Sequence, residues 1–362
     1  MVHLDESAAL VLLEGRLPEP AEAAARAHAE RCHACRSLLQ EIATRRLAAR
    51  EPQATVLRFW GLEEESPVGP GALESIPGIT PGQIVGGRYR LDEPLGEGGM
   101  GIVWSAHDPA TGERIALKLL KSRGPDEVAR FLREARITAG LRHPHILVVH
   151  DVFQLPEGFP VMAMERLYGE PLDAAIARGG RIAPGAAAAI VLSIVSAVGA
   201  AHAVGVIHRD LKPANVFLAR QPDGATRVTV LDFGIAKLLP REAALANTTR
   251  LTKSGFVLGT PSYMAPEQVF ADSPLDHRVD IWSIGMILYE CLTGRCAVAG
   301  TSVMDIFRNI TVGDIPPIER VRPGLPPALA HLVGRMLTRD RDRRPGDLRE
   351  VYEVLAPIAE RG

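Results

Sequence analysis

Cysteine is scarce in this chain. Four in 362 residues are too few for a secreted scaffold stapled by disulfides. Excess charge of either sign is also missing, with 41 basic residues against 43 acidic ones. That balance gives no electrostatic footprint for nucleic acid or an anionic membrane. Aromatic residues make up only 5 %, whereas 46 % of residues are hydrophobic, enough for a sizeable core. The first thirty residues lack a basic segment followed by an apolar one, so no signal peptide is expected. One run, Ala186 to Ile207, lacks Asp, Glu, Lys and Arg and is long enough to cross a bilayer. It holds His202, many alanines and two glycines and leads into His208-Arg209-Asp210, so a buried helix is expected and no membrane span.

Three segments are expected. Residues 1–50 are rich in Ala, Glu, Arg and Leu and read as helical. Residues 51–86 carry many Pro and Gly and read as a linker. From residue 87 to 362 strand patterns come first: Tyr89–Leu95, Gly101–Asp108, Arg114–Leu120, Val148–Phe153 and Phe159–Glu165, with a helix over Asp126–Ala139. After about Pro171 the pattern is mainly helical. A strand-rich part followed by a helix-rich part predicts an α+β fold with two lobes.

Two short stretches carry the chemistry. Leu95-Gly96-Glu97-Gly98-Gly99-Met100-Gly101-Ile102-Val103 places glycines between two strand candidates, where backbone amides can face phosphates. Such a glycine pattern is weak alone, since dinucleotide sites share it. Here it runs strand to strand and is followed by Ala116-Leu117-Lys118. Further on, Val206-Ile207-His208-Arg209-Asp210-Leu211-Lys212-Pro213-Ala214-Asn215 precedes Asp232-Phe233-Gly234. These supply a candidate proton acceptor and two candidate magnesium ligands, which phosphoryl transfer requires.

With these motifs in this order, residues from about 88 to 356 resemble the eukaryotic-like (Hanks-type) serine/threonine protein kinases of bacteria. The resemblance implies a bilobal kinase fold that binds ATP between its lobes and phosphorylates proteins. Lys118 would contact the ATP phosphates and pair with Glu134. Asp210 would accept the substrate hydroxyl proton, and Lys212 would neutralise the transferring phosphoryl group. Asn215 and Asp232 would hold Mg2+, with Mn2+ as an alternative. Gly96, Gly98, Gly101, Val103 and Ala116 would surround the nucleotide. Met164 would line the back of the adenine pocket, and the backbones of Glu165 and Leu167 would bond the ring.

The same resemblance assigns Glu267 an ion pair with Arg344 and makes Asp280 an anchor for the catalytic-loop backbone. By offset from Thr260, Thr252 and Ser254 correspond to activation-segment phosphosites, with Arg209 as the phosphate's partner. Autophosphorylation in trans would need a transient homodimer.

Near the N-terminus, His28, Cys32 and Cys35 form H-x3-C-x2-C. On a helix His28 and Cys32 share one face, and Cys35 follows at turn spacing, a donor set that suits zinc. Three other readings remain open: small apolar residues of a helical hairpin, a redox pair, or a fold retained without metal. The segment resembles the zinc-binding anti-sigma type of small all-α domain, which implies a fourth ligand about one helix upstream. His3 stands there, with Asp5 and Glu6 as substitutes.

The reading is therefore a cytoplasmic kinase with a regulatory N-terminal module. Its rivals are a scaffold pseudokinase and an anti-sigma-like binder of a sigma factor.

Overall fold

The computed structural model describes residues 32, 35, 79–97, 101–121, 124–233, 261–270 and 274–361. The chain forms two compact units, Met1–Ala54 and Thr55–Gly362. In the first, Cys35 is helical and buried and Cys32 half-buried.

The second unit begins with a six-stranded antiparallel sheet. Its strands are β1 (Ile84–Val85), β2 (Tyr89–Glu97), β3 (Gly101–His107), β4 (Arg114–Leu120), β5 (Val149–Gln154) and β6 (Pro160–Glu165), in the order β1-β2-β3-β4-β6-β5. Alternation is plain at the start of β2, where Tyr89 and Leu91 are buried and Arg90 is exposed. The helix α1 (Pro125–Gly140) packs on β5 and β6. Pro125 stands at its first turn, where a missing N–H costs nothing. Gly140 is its last residue rather than a cap, because Leu141 turns extended ahead of Pro144.

The N-lobe core starts before the boundary expected at residue 87. Ile79 and Val85 are buried with Trp104, Leu117 and Val161, and β1 pairs with β2. A two-residue strand among glycines and prolines is too short to show a period.

The C-lobe contains the small sheet β7 (Gly169–Pro171), β8 (Val216–Arg220), β9 (Thr226–Val230). Its described helices are α2 (Leu172–Gly179), α3 (Pro184–Ala203), α4 (Pro266–Phe270), α5 (Arg278–Thr293), α6 (Val303–Thr311), α7 (Ile318–Val321), α8 (Pro327–Met336) and α9 (Leu348–Ala359). The apolar run is α3. Among the described residues it is the one helix long and apolar enough to cross a membrane. It packs against α5, α9 and β9, with Ala187, Val191, Ile194 and Val198 in the C-lobe core. Two ends are set locally. Gly294 takes φ +73° and closes α5 by donating to the Glu290 carbonyl, and Asp347 caps α9 through the N–H groups of Arg349 and Glu350.

Candidate active site

Strand register assembles the upper wall. Val103 on β3 lies opposite Lys118 on β4, Ser105 opposite Ala116, and Ala116 opposite Met164 on β6. Alternation sends Val103, Ala116, Lys118 and Met164 to one face. They line two adjoining hollows. The first, an open cleft, is walled by Val103, Ala116, Met164, Glu165 and Leu167. Leu95, Leu147, Arg166, Phe217 and Leu231 complete it. The sequence reading assigned none of these five to the site; Leu147, Phe217 and Leu231 in particular are apolar residues of separate segments that carry no motif.

Gly96 pairs with Val103 across β2 and β3, while Gly98 lies outside the described residues. Gly101 is required by packing as well as by any phosphate: a Cβ there would sit 2.2 Å from the Leu119 carbonyl oxygen. The end of β2 is tied to the end of β4 by Glu97 and Lys121, 2.7 Å apart.

The second hollow holds Lys118, Glu134, Met162 and Asp232. Lys118 Nζ reaches Asp232 Oδ2 at 3.0 Å. Burial, then the Asp232 carboxylate, push the Glu134 carboxyl up to about 8, against the opposing pull of Lys118. The hollow thus carries one ammonium beside two carboxyls, and a proton on Glu134 relieves their repulsion.

The lower wall is the catalytic-loop segment. Arg209 adopts φ +66°, a left-handed conformation that a non-glycine residue holds only when its surroundings enforce it. The enforcing group is Asp280 on α5. Its fully buried carboxylate accepts the N–H groups of His208 and Arg209, both at 2.8 Å, and lies 2.7 Å from His202 Nε2. His208 is buried beneath the loop. Its Nε2–H donates to the Leu231 carbonyl at 3.0 Å, which leaves Nδ1 to accept from Asp210 N–H at 3.4 Å. Burial lowers the His208 pKa and keeps the ring neutral.

A short turn, Pro213–Asn215, folds Asn215 back on Asp210. Asn215 Nδ2 donates to the Asp210 carbonyl at 2.8 Å, and its own carbonyl accepts Leu231 N–H at 3.0 Å. The chain then delivers Asp232 at φ +36°. Lys212 Nζ lies 3.7 Å from Asp210 Oδ2. Lys118, Glu134, Asp210, Lys212, Asn215 and Asp232 are therefore drawn from four segments spread over more than a hundred residues.

Behind the cleft, Glu165 turns its carboxylate away from the slot, to Val148 N–H at 3.0 Å and Arg227 Nη2 at 2.5 Å. In front, Gln268 on α4 accepts Ala265 N–H and donates to the Arg209 carbonyl, both at 2.9 Å. The Ala265 loop is thereby registered against the catalytic loop. Glu267 and Arg344 pair as expected.

Thr248, Thr249, Thr252 and Ser254 lie outside the described residues, as do His3 and His28. None of the four cysteines is in a disulfide. Among the described residues no group of three His, Cys, Asp or Glu side chains is placed to hold a metal.

The arrangement is an apolar slot beside carboxylate, amide and ammonium groups. It accords with what known proteins share with this chain. The protein kinase domain family matches residues 89–355. The chain is 37 % identical over 269 residues to serine/threonine-protein kinase pkn3 of Myxococcus xanthus, a match covering 73 % of this chain and 48 % of that one. It is 37 % identical over 268 residues to serine/threonine-protein kinase PknH of Mycobacterium bovis, covering 72 % and 43 %. It is 36 % identical over 261 residues to serine/threonine-protein kinase PknA of Mycobacterium tuberculosis, covering 70 % and 57 %. The chain belongs to the protein kinase family. It spans about half the length of these curated relatives.

Proposed function

We propose that this chain transfers the γ-phosphoryl group of ATP to serine and threonine hydroxyls of proteins. One observation carries the reading: Lys118 meets Asp232, and Asp210 meets both Lys212 and Asn215, beside an apolar cleft lined by Val103, Ala116, Met164, Phe217 and Leu231.

In this reading adenine enters between Val103, Ala116 and Met164 above and Phe217 and Leu231 below, and bonds the backbones of Glu165 and Leu167. Gly96, Gly98 and Gly101 approach the phosphates. Lys118 contacts them, with Glu134 as its partner from α1. Asp210 orients the incoming hydroxyl and takes its proton, and Lys212 offsets charge on the group in transit. Asn215 and Asp232 form a hard-oxygen donor pair that suits Mg2+ or Mn2+. With Nδ2 committed to the Asp210 carbonyl, Asn215 presents its Oδ1, as a metal ligand must. The ion supplies charge neutralisation to the phosphates when bound.

Activation by phosphorylation of Thr252 and Ser254 in trans, through a transient homodimer, belongs to the same reading. Arg209 supports it, since its Nε is shielded from solvent with no hydrogen-bond partner among the described residues. Residues 1–50 would form a regulatory zinc module, with His3, His28, Cys32 and Cys35 as ligands and a sigma-factor-like protein as its partner. The spacing supports this. The kinase domain would begin by Ile79, inside the segment 51–86 expected as linker, and the site of action would be the bacterial cytoplasm.

The test is transfer of labelled phosphate from Mg·ATP to a generic protein substrate. Wild type should yield phosphoserine and phosphothreonine and Asp210→Asn should not. Label that persists in the variant, or never appears in wild type, would sink the reading.

A further inference from the structure

The stretch joining the two lobes is pinned at both ends by main-chain bonds. Glu165 N–H donates to Val148 O at 2.9 Å, and Tyr168 O accepts Arg220 N–H at 2.7 Å. Arg166 and Leu167 lie between these pins, and both line the cleft. Arg166 is at the cleft's edge, yet its side chain is only 10 % exposed. A guanidinium is taken out of water at a cost unless it gains partners. Here it has three: Nη1 donates to Ser105 Oγ on β3, Nη2 stands 3.6 Å from Glu93 Oε1 on β2, and Cζ lies 5.0 Å from the centre of the Tyr168 ring.

Ser105 is fully buried and two residues along β3 from Val103, on the same face, opposite Ala116. Its hydroxyl donates onward to Asp92 Oδ2 at 3.3 Å, and Asp92 Oδ1 lies 2.7 Å from His107 Nδ1. The guanidinium therefore touches the strands that form the roof of the slot, while its backbone forms the slot's edge.

We infer that Arg166 is a positioning residue for the nucleotide. It fixes the two-residue stretch between the pins and sets β2 and β3 at a defined height above it, so that the slot is formed before ATP arrives. Affinity then does not have to cover the entropy of ordering the hinge. The planar fork matters, because a lysine ammonium cannot meet Ser105 and Glu93 while stacking on Tyr168. This inference rests on the ATP reading of the cleft.

The experiment measures the ATP dissociation constant by calorimetry and, separately, KM for ATP and kcat. Arg166→Met should weaken ATP binding by about five- to tenfold, with a KM rise exceeding any fall in kcat. Arg166→Lys should restore little, and Ser105→Ala should move the same constants in the same direction by less. An unchanged dissociation constant in Arg166→Met would overturn the inference, as would a fall in kcat alone. If Arg166→Met does not fold, Ser105→Ala and Glu93→Gln carry the test, and two unchanged constants overturn it. Wild type that binds no ATP would overturn the reading of the cleft itself.

Discussion

Arg344 and Glu267 meet end to end, Nη1 to Oε1 at 2.6 Å and Nη2 to Oε2 at 2.8 Å, with both side chains buried. The remaining guanidinium donors reach the carbonyls of Thr338, Arg278 and Arg339, and the Trp282 ring lies 5.1 Å away. The pair joins the start of α4 to the segment before α9, far apart in sequence. Removing one partner strands the other charge out of water. Glu267→Ala should cost roughly 3–5 kcal/mol in urea unfolding, and Glu267→Leu with Arg344→Met together should cost less than either alone. A single-variant loss below about 1 kcal/mol would show that the pair is not isolated from solvent.

Asp280 holds the catalytic loop through two backbone bonds, and the strained Arg209 lies between it and Asp210. Asp280→Asn keeps the volume but points an amide donor at N–H groups. With the loop displaced by about an ångström, kcat should fall roughly a hundredfold. Far-UV circular dichroism should stay near wild type. Full activity in a folded Asp280→Asn protein would remove the loop-anchoring role.

The buried His208 gives stability a pH dependence of known sign. Burial lowers its folded pKa, so as pH falls the unfolded chain takes up this proton first. The His208 contribution is fully present above about pH 6.5 and is lost as pH falls through the lower folded value. The urea midpoint should therefore drop more steeply between about pH 7 and 5 in wild type than in His208→Gln. Parallel curves would refute this.

Activation by phosphorylation predicts that alanine at both Thr252 and Ser254 lowers kcat sharply while ATP affinity holds. Wild type treated with a phosphatase should behave like the double variant. A double variant as fast as untreated wild type would remove these positions from the control scheme.

Metal content tests the N-terminal module. Protein purified reduced, without added metal or a metal-binding tag, should carry about one zinc per chain by elemental mass spectrometry. Cys32→Ser with Cys35→Ser should lose it. A folded chain without zinc would reduce residues 1–50 to a plain helical element and leave the kinase domain untouched.

The sequence alone determined what is dictated by local chemistry. Gly96 and Gly101, Ala116 and Lys118, and Asp210, Lys212 and Asn215 each fall within a few positions of one another, so they are readable as short strings. The strands, runs of β-branched and apolar residues bounded by turn signals, were readable for the same reason, and so was the apolar helix α3. The tertiary structure alone decided contacts between residues that no period relates. Gln268 reaches the Arg209 carbonyl across 59 positions, His202 reaches Asp280 across 78, and Arg166 reaches Ser105 across 61. Each arises because burying a polar group forces it to find whichever partner the packing supplies. The apolar slot follows the same logic: Leu95, Leu147, Phe217 and Leu231 are ordinary hydrophobic residues until the two lobes bring them to one cleft.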